Sequence, residues 1–247
     1  MADEPQAEAV TPARIKRHRL STRLWHWLNA LCLYVLFSSG LGIFNAHPRL
    51  YWGQLGANFD QPWLQKTRFG SWLTLPAQYD LAMSRRWHLS FALIFAFALL
   101  AYMLWSLVNR HIVRDLAFRR GELRSGHVWQ DIKEHARLRF PTGEAATRYN
   151  ILQKTTYNVV IFVLLPLIIL TGLAMSPGMD AAWPWLIDLF GGRQSARSIH
   201  FIVAWLLVAF FLVHILMVLL AGPINEIRSM ITGWYVVPKA KREETGP

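Results

Sequence analysis

Four long apolar segments constrain this chain more than any other feature. They run at roughly 24–44, 88–108, 157–175 and 199–220, and each approaches or exceeds the ~20 residues that a helix needs to span the hydrocarbon core of a bilayer. Trp and Tyr stand near several ends (Trp25, Trp27, Trp87, Trp105 and Tyr157), where amphipathic rings settle at headgroup level. The expected fold class is an all-α membrane protein built on a bundle of four transmembrane helices.

The formal net charge of +11 would by itself raise nucleic acid as a partner. The basic residues, however, lie between the apolar runs, and membrane topology explains them better, so no nucleic-acid partner is expected. Residues 1–23, 109–156 and 221–247 hold nineteen of the 26 Lys and Arg. The positive-inside rule then puts both termini and the 109–156 connection in the cytoplasm of a bacterial inner membrane protein. This divides the chain into a cytoplasmic segment 1–23, a transmembrane domain 24–222 and a cytoplasmic tail 223–247. The start is acidic (Asp3, Glu4, Glu8) and no small-residue cleavage site follows the first apolar segment, so a cleavable leader is not expected. Cys32 is the single cysteine, which excludes disulfide frameworks and cysteine-ligated zinc or iron–sulfur sites.

The periplasmic connection 45–87 is rich in Trp and Pro. It is too long for a turn and too short for a catalytic domain, and it reads as a cap or docking surface. The cytoplasmic connection 109–156 includes "HVWQDIKEHARLRF", with the pattern of a short amphipathic helix. In the tail, "PINEIRSMITGWYVV" is expected to form an interfacial helix with its apolar face on lipid.

Nine histidines occur, and five of them (His18, His47, His111, His127, His135) fall in basic connections or at membrane edges. The other four sit at or inside apolar segments, where an ionisable side chain is costly and usually functional. His26 opens the first helix on the cytoplasmic side, His88 opens the second on the outer side, and the fourth helix carries both His200 and His214. They pair by depth: His26 with His214, and His88 with His200. Fourteen residues separate His200 from His214, about 21 Å of helix rise, with directions about 40° apart. Two imidazoles at each of two levels suit two stacked bis-histidine b haems enclosed by the bundle. A bare zinc ion is disfavoured, because two histidines with no nearby Cys, Asp or Glu do not complete its tetrahedron.

Arginine precedes three of these histidines by three residues: Arg23, Arg85 and Arg197. Residues so spaced share a helix face, and a guanidinium there can pair with a haem propionate through two parallel hydrogen bonds.

"RLWHW" (23–27), "SSG" (38–40), "RRWH" (85–88), "YNILQKTTY" (149–157), "LTG" (170–172), "RSIH" (197–200) and "SMITGWYV" (229–236) occur in this order. The set resembles the dihaem cytochrome b subunits of bacterial membrane oxidoreductases over about residues 14–236. That group includes the formate dehydrogenase gamma subunit, the nickel–iron hydrogenase b-type cytochrome and the thiosulfate reductase cytochrome b, and it is akin to bacterial cytochrome b561. The resemblance implies ligands from the first, second and fourth helices, which are His26, His88, His200 and His214 here, and none from the third. It also implies a quinone site at the start of the third helix, at Asn150 and Gln153, beside the inner haem. The connection between the first two helices is longer than in the shortest members.

Bis-histidine iron has no open position and therefore transfers electrons. The expected function is electron transfer across the membrane, as an oxidoreductase subunit, between the quinone pool and a periplasmic molybdopterin, iron–sulfur or c-type haem partner. The alternative is a stand-alone cytochrome b561-type enzyme, for example a quinone-linked superoxide oxidase. A proton-relaying transporter has no use for arginines three residues before depth-matched histidines.

Overall fold

All four apolar segments form helices in the computed structural model, which describes residues 14–57, 59–109, 133 and 151–237. In chain order the elements are β1 (Arg14–Lys16), α1 (Leu20–Phe44), β2 (Arg49–Leu50), β3 (Leu64–Gln65), α2 (Leu81–Val108), α3 (Ile151–Ala174), α4 (Pro177–Ala182), α5 (Trp185–Leu189), α6 (Arg193–Ala221), α7 (Pro223–Thr232) and β4 (Trp234–Val236). Helices α1, α2, α3 and α6 are long and apolar enough to cross a membrane. Each begins four to seven residues before the apolar run that announced it. Apolarity marks the stretch within the hydrocarbon, whereas the helix continues into polar turns beyond it. At α2 the Asp80 carboxylate accepts from the Met83 N–H, so the helix starts at residue 81, not 88. Of the connection between the second and third long helices, residues 110–150, with the expected amphipathic helix, lie outside the described residues except for Lys133.

Two compact units divide the chain. The larger, Leu24–Ala117 with Lys154–His214, holds most of the four long helices around one core. Cys32 from α1, Phe95 and Leu99 from α2, Val160 and Leu165 from α3, and Val203 and Leu207 from α6 form that core. The opposite faces expose large apolar side chains, among them Leu93, Phe97, Leu104, Leu212 and Val213. Apolar exposure on this scale belongs against lipid, not water.

Helix α3 contains a π-helical stretch, Val160–Leu164, which ends two residues before Pro166. Proline lacks an N–H, and its ring crowds the carbonyl four residues back. A π turn widens the spacing there and lets the helix continue through the proline.

The connection 45–80 is folded down onto the ends of the helices. The Asn45 side chain exchanges two hydrogen bonds with the backbone of Phe69 (2.9 and 2.7 Å). The Gly53 carbonyl accepts from the N–H groups of Gln194 and Ser195 (3.0 and 3.1 Å), which supplies α6 with the cap that its own sequence lacks. Ser195 Oγ accepts from the Gly53 N–H, and Ser198 Oγ accepts from Trp63 Nε1 and donates to the Tyr51 carbonyl. The region expected to be a cap is thus one in structure.

The smaller unit comprises Met1–Arg23, Phe118–Gln153 and Ile215–Pro247. Within it β1 pairs antiparallel with β4, two short strands that the helical pattern did not foretell. Arg17 bonds Glu226 (3.1 Å) and lies over the Tyr235 ring. Gly222 and Gly233 bracket α7 with φ of 105° and 88°, left-handed conformations that suit glycine. Ile224, Ile227 and Ile231 stand exposed along α7.

Candidate functional site

The larger unit brings the four membrane histidines together as two pairs. His26 of α1 faces His214 of α6 with ring centroids 6.2 Å apart. His88 of α2 faces His200 of α6, also at 6.2 Å. An imidazole nitrogen sits about 2 Å from the metal that it ligates, and the ring centroid lies about 1 Å behind that nitrogen. Two imidazoles facing across one iron therefore have centroids roughly 6 Å apart.

Hydrogen bonding fixes the His88 and His200 rings more tightly than spacing alone. His88 Nδ1 lies 3.0 Å from the Leu36 carbonyl and 3.1 Å from Ser39 Oγ. A carbonyl can only accept, so Nδ1 carries the hydrogen. Ser39 is committed likewise, since its hydroxyl donates to the Val35 carbonyl (2.6 Å) and leaves a lone pair for the ring. In the neutral ring Nε2 is then unprotonated, the form that binds a metal. His200 repeats the device: Nδ1 lies 3.0 Å from Thr171 Oγ1, which itself donates to the Leu167 carbonyl, and the ring also bonds the Ile168 backbone.

Glycine completes each repeat. A Cβ at Gly40 would lie 3.4 Å from His88 Cε1, and one at Gly172 would lie 3.4 Å from His200 Cε1. So Leu36, Ser39 and Gly40 serve His88 on the α1–α2 contact, while Ile168, Thr171 and Gly172 serve His200 on the α3–α6 contact. The motifs "SSG" and "LTG" were legible in the sequence, but the roles of their hydroxyls were not. The His26/His214 pair differs, because His26 Nδ1 is buried without a hydrogen-bond partner among the described residues.

Residues 17–233 match the family described as prokaryotic cytochrome b561. The chain belongs to this family. It is accordingly a multi-pass membrane cytochrome b, and the family implies a b-type haem. Similar proteins bear this out. A "Probable Ni/Fe-hydrogenase B-type cytochrome subunit" of Cupriavidus necator is 26% identical over 86% of this chain and 83% of its own. Its namesake in Azotobacter vinelandii is 23% identical over 86% and 84%. A "Putative protein-methionine-sulfoxide reductase subunit YedZ1" of Azospira oryzae is 30% identical over 80% and 87%.

The donor set fits a haem better than a bare ion. No group of three or more His, Cys, Asp or Glu side chains converges among the described residues, whereas a porphyrin brings four equatorial nitrogens and asks the protein for two axial ones. In this cytochrome b561 the three arginines are placed differently from one another. Arg23 donates through Nη2 to the Ile231 carbonyl, within the smaller unit. Arg85 is exposed. Arg197 donates to the His47 carbonyl at 2.6 Å. Gln153 sits half-buried in the first turn of α3, and Asn150 lies outside the described residues.

Proposed function

We propose that this membrane cytochrome b holds two b haems and carries electrons across the bilayer between the quinone pool and a periplasmic redox partner, as a subunit of an oxidoreductase complex. The observation that carries this reading is the sorting of four membrane histidines into two pairs at 6.2 Å, with one member of each pair on α6. His26 and His214 would hold the inner haem, and His88 and His200 the outer one. Each haem, when bound, supplies reversible one-electron chemistry at an iron with no open position.

The chain's own residues orient and separate these sites. The Leu36 carbonyl and Ser39 hold His88 in its Nδ1–H form, Thr171 does the same for His200, and α6 keeps the two levels about 21 Å apart. Arg23, Arg85 and Arg197 are proposed to face propionates, and Asn150 and Gln153 to hydrogen-bond quinone oxygens. The apolar face of α7, with Ile224, Ile227 and Ile231 exposed, is proposed to lie on the inner leaflet, with both termini cytoplasmic. The names of the hydrogenase and sulfoxide reductase subunits support a complex with a catalytic or relay subunit over a stand-alone enzyme. The partner expected is a molybdopterin, iron–sulfur or c-type haem protein.

Haem content and quinol reduction of the purified chain test this reading. The pyridine haemochrome should give about two b haems per chain, and a quinol should reduce both. A folded, haem-free preparation from haem-sufficient cells would overturn it. Copurification with a catalytic subunit would separate the complex from the stand-alone form.

A further inference from the structure

The connection that caps α6 also contains an unsatisfied polar pocket. The His47 and Tyr51 rings stack with centroids 5.9 Å apart and an interplanar angle of 24°. Arg197 reaches them from α6, donating to the His47 carbonyl and lying close enough to the Tyr51 phenol to interact with it electrostatically. His47 Nε2 and Tyr51 Oη are both buried, and neither finds a partner among the described residues. Tyr51 itself is 3% exposed.

Two buried polar atoms left unpaired are costly, by more than an ordinary hydrogen bond returns. Their neighbours show what would satisfy them. Burial first, and then the Arg197 and Arg49 guanidiniums, hold the His47 pKa below the ordinary histidine value, so positive charge already crowds the pocket. In its Nε2–H tautomer His47 can donate, the Tyr51 hydroxyl can donate as well, and the Arg197 guanidinium stands beside both. Donors backed by positive charge in a buried site call for an anion, and a carboxylate accepts several such bonds at once. Arg197 is one helical turn outward of His200, the proposed ligand of the outer haem.

We propose that His47, Tyr51 and Arg197 form a carboxylate site that takes a propionate of the outer haem. This rests on the reading of His88 and His200 as its ligands. The outer connection would therefore help to hold the cofactor as well as cap the helix.

The test compares haem b with its dimethyl ester, in which the propionates cannot act as anions, in a His26→Ala chain that offers the outer site alone. The unaltered pocket should bind the acid about tenfold or more tightly than the ester. In H47L/Y51F that preference should fall to about twofold or less, with the b-type spectrum of the bound haem unchanged. A pocket that does not discriminate, or a double variant that keeps the full preference, would overturn the proposal. Should the His26→Ala chain fold poorly, the same comparison is read from the outer-site binding step of the two-haem protein. Inorganic phosphate added to the haem-loaded protein distinguishes a free-anion site: binding that depends on His47 and leaves the haem in place would reject the propionate. Failure of the chain to bind either compound would instead reject the haem reading itself.

Discussion

His88 Nδ1 lies 3.1 Å from Ser39 Oγ, and Ser39 gives its own hydrogen to the Val35 carbonyl. One side chain therefore joins the backbone of α1 to a ring on α2 and fixes which ring nitrogen is free. Thr171 and His200 repeat this between α3 and α6. Removing such an oriented partner typically weakens metal binding about 10–100-fold. A Ser39→Ala, Thr171→Val double variant should lose outer haem on dilution or competition with apomyoglobin, and its inner haem should stay. Equal loss from both sites would show that the hydroxyls support the bundle generally.

Histidine substitutions should separate the two sites. His88→Ala or His200→Ala is expected to leave about one haem per chain, with the inner redox transition intact. His26→Ala or His214→Ala should leave the outer transition. Redox titration of each variant reads this directly, and loss of both haems from a folded variant would refute the pairing.

Gly42 faces Ser84 across the α1–α2 contact, where an added Cβ would stand 2.3 Å from Ser84 Oγ. Gly42→Ala should cost about 1–3 kcal/mol, the usual penalty of overpacking. The compensating Ser84→Gly change should restore most of it. Thermal unfolding in detergent provides the comparison; an equally unstable double variant would point to a cause other than this contact.

His47 makes the haem-free chain sensitive to acid. Burial first, then the Arg197 and Arg49 guanidiniums, hold its pKa below the ordinary histidine value. The unfolded chain takes up that proton more readily than the folded one, so the contribution is fully present above about pH 6.5 and is lost as the pH falls below it. The unfolding temperature of haem-free protein should drop between about pH 7.5 and 5.5, and less so in H47Q. Parallel curves for the two proteins would show that His47 does not contribute.

Gln153→Ala should slow quinol-linked haem reduction about tenfold or more, as expected for loss of a hydrogen bond to substrate, with haem content unchanged. Stopped-flow reduction with a soluble quinol measures it. Unchanged kinetics would remove Gln153 from the quinone site.

Much of this protein was readable from one dimension. Spanning helices announce themselves because lipid accepts only long apolar runs, and the periods of α6 put His200 and His214 on nearly one face. The depths of His26 and His88 follow from counting residues along each segment. Helix starts were less legible: Asp80 extends α2 through a cap that hydropathy does not register. The "SSG" and "LTG" motifs were visible, yet their chemistry depends on which helix each one touches. That Ser39 meets His88 while Thr171 meets His200, that Gly53 caps α6, and that His47, Tyr51 and Arg197 share one buried pocket were decided by tertiary structure. The contacts between helices, and between the connection and α6, join residues from 29 to 150 positions apart, and local periodicity carries no information about which distant backbone will satisfy a given donor.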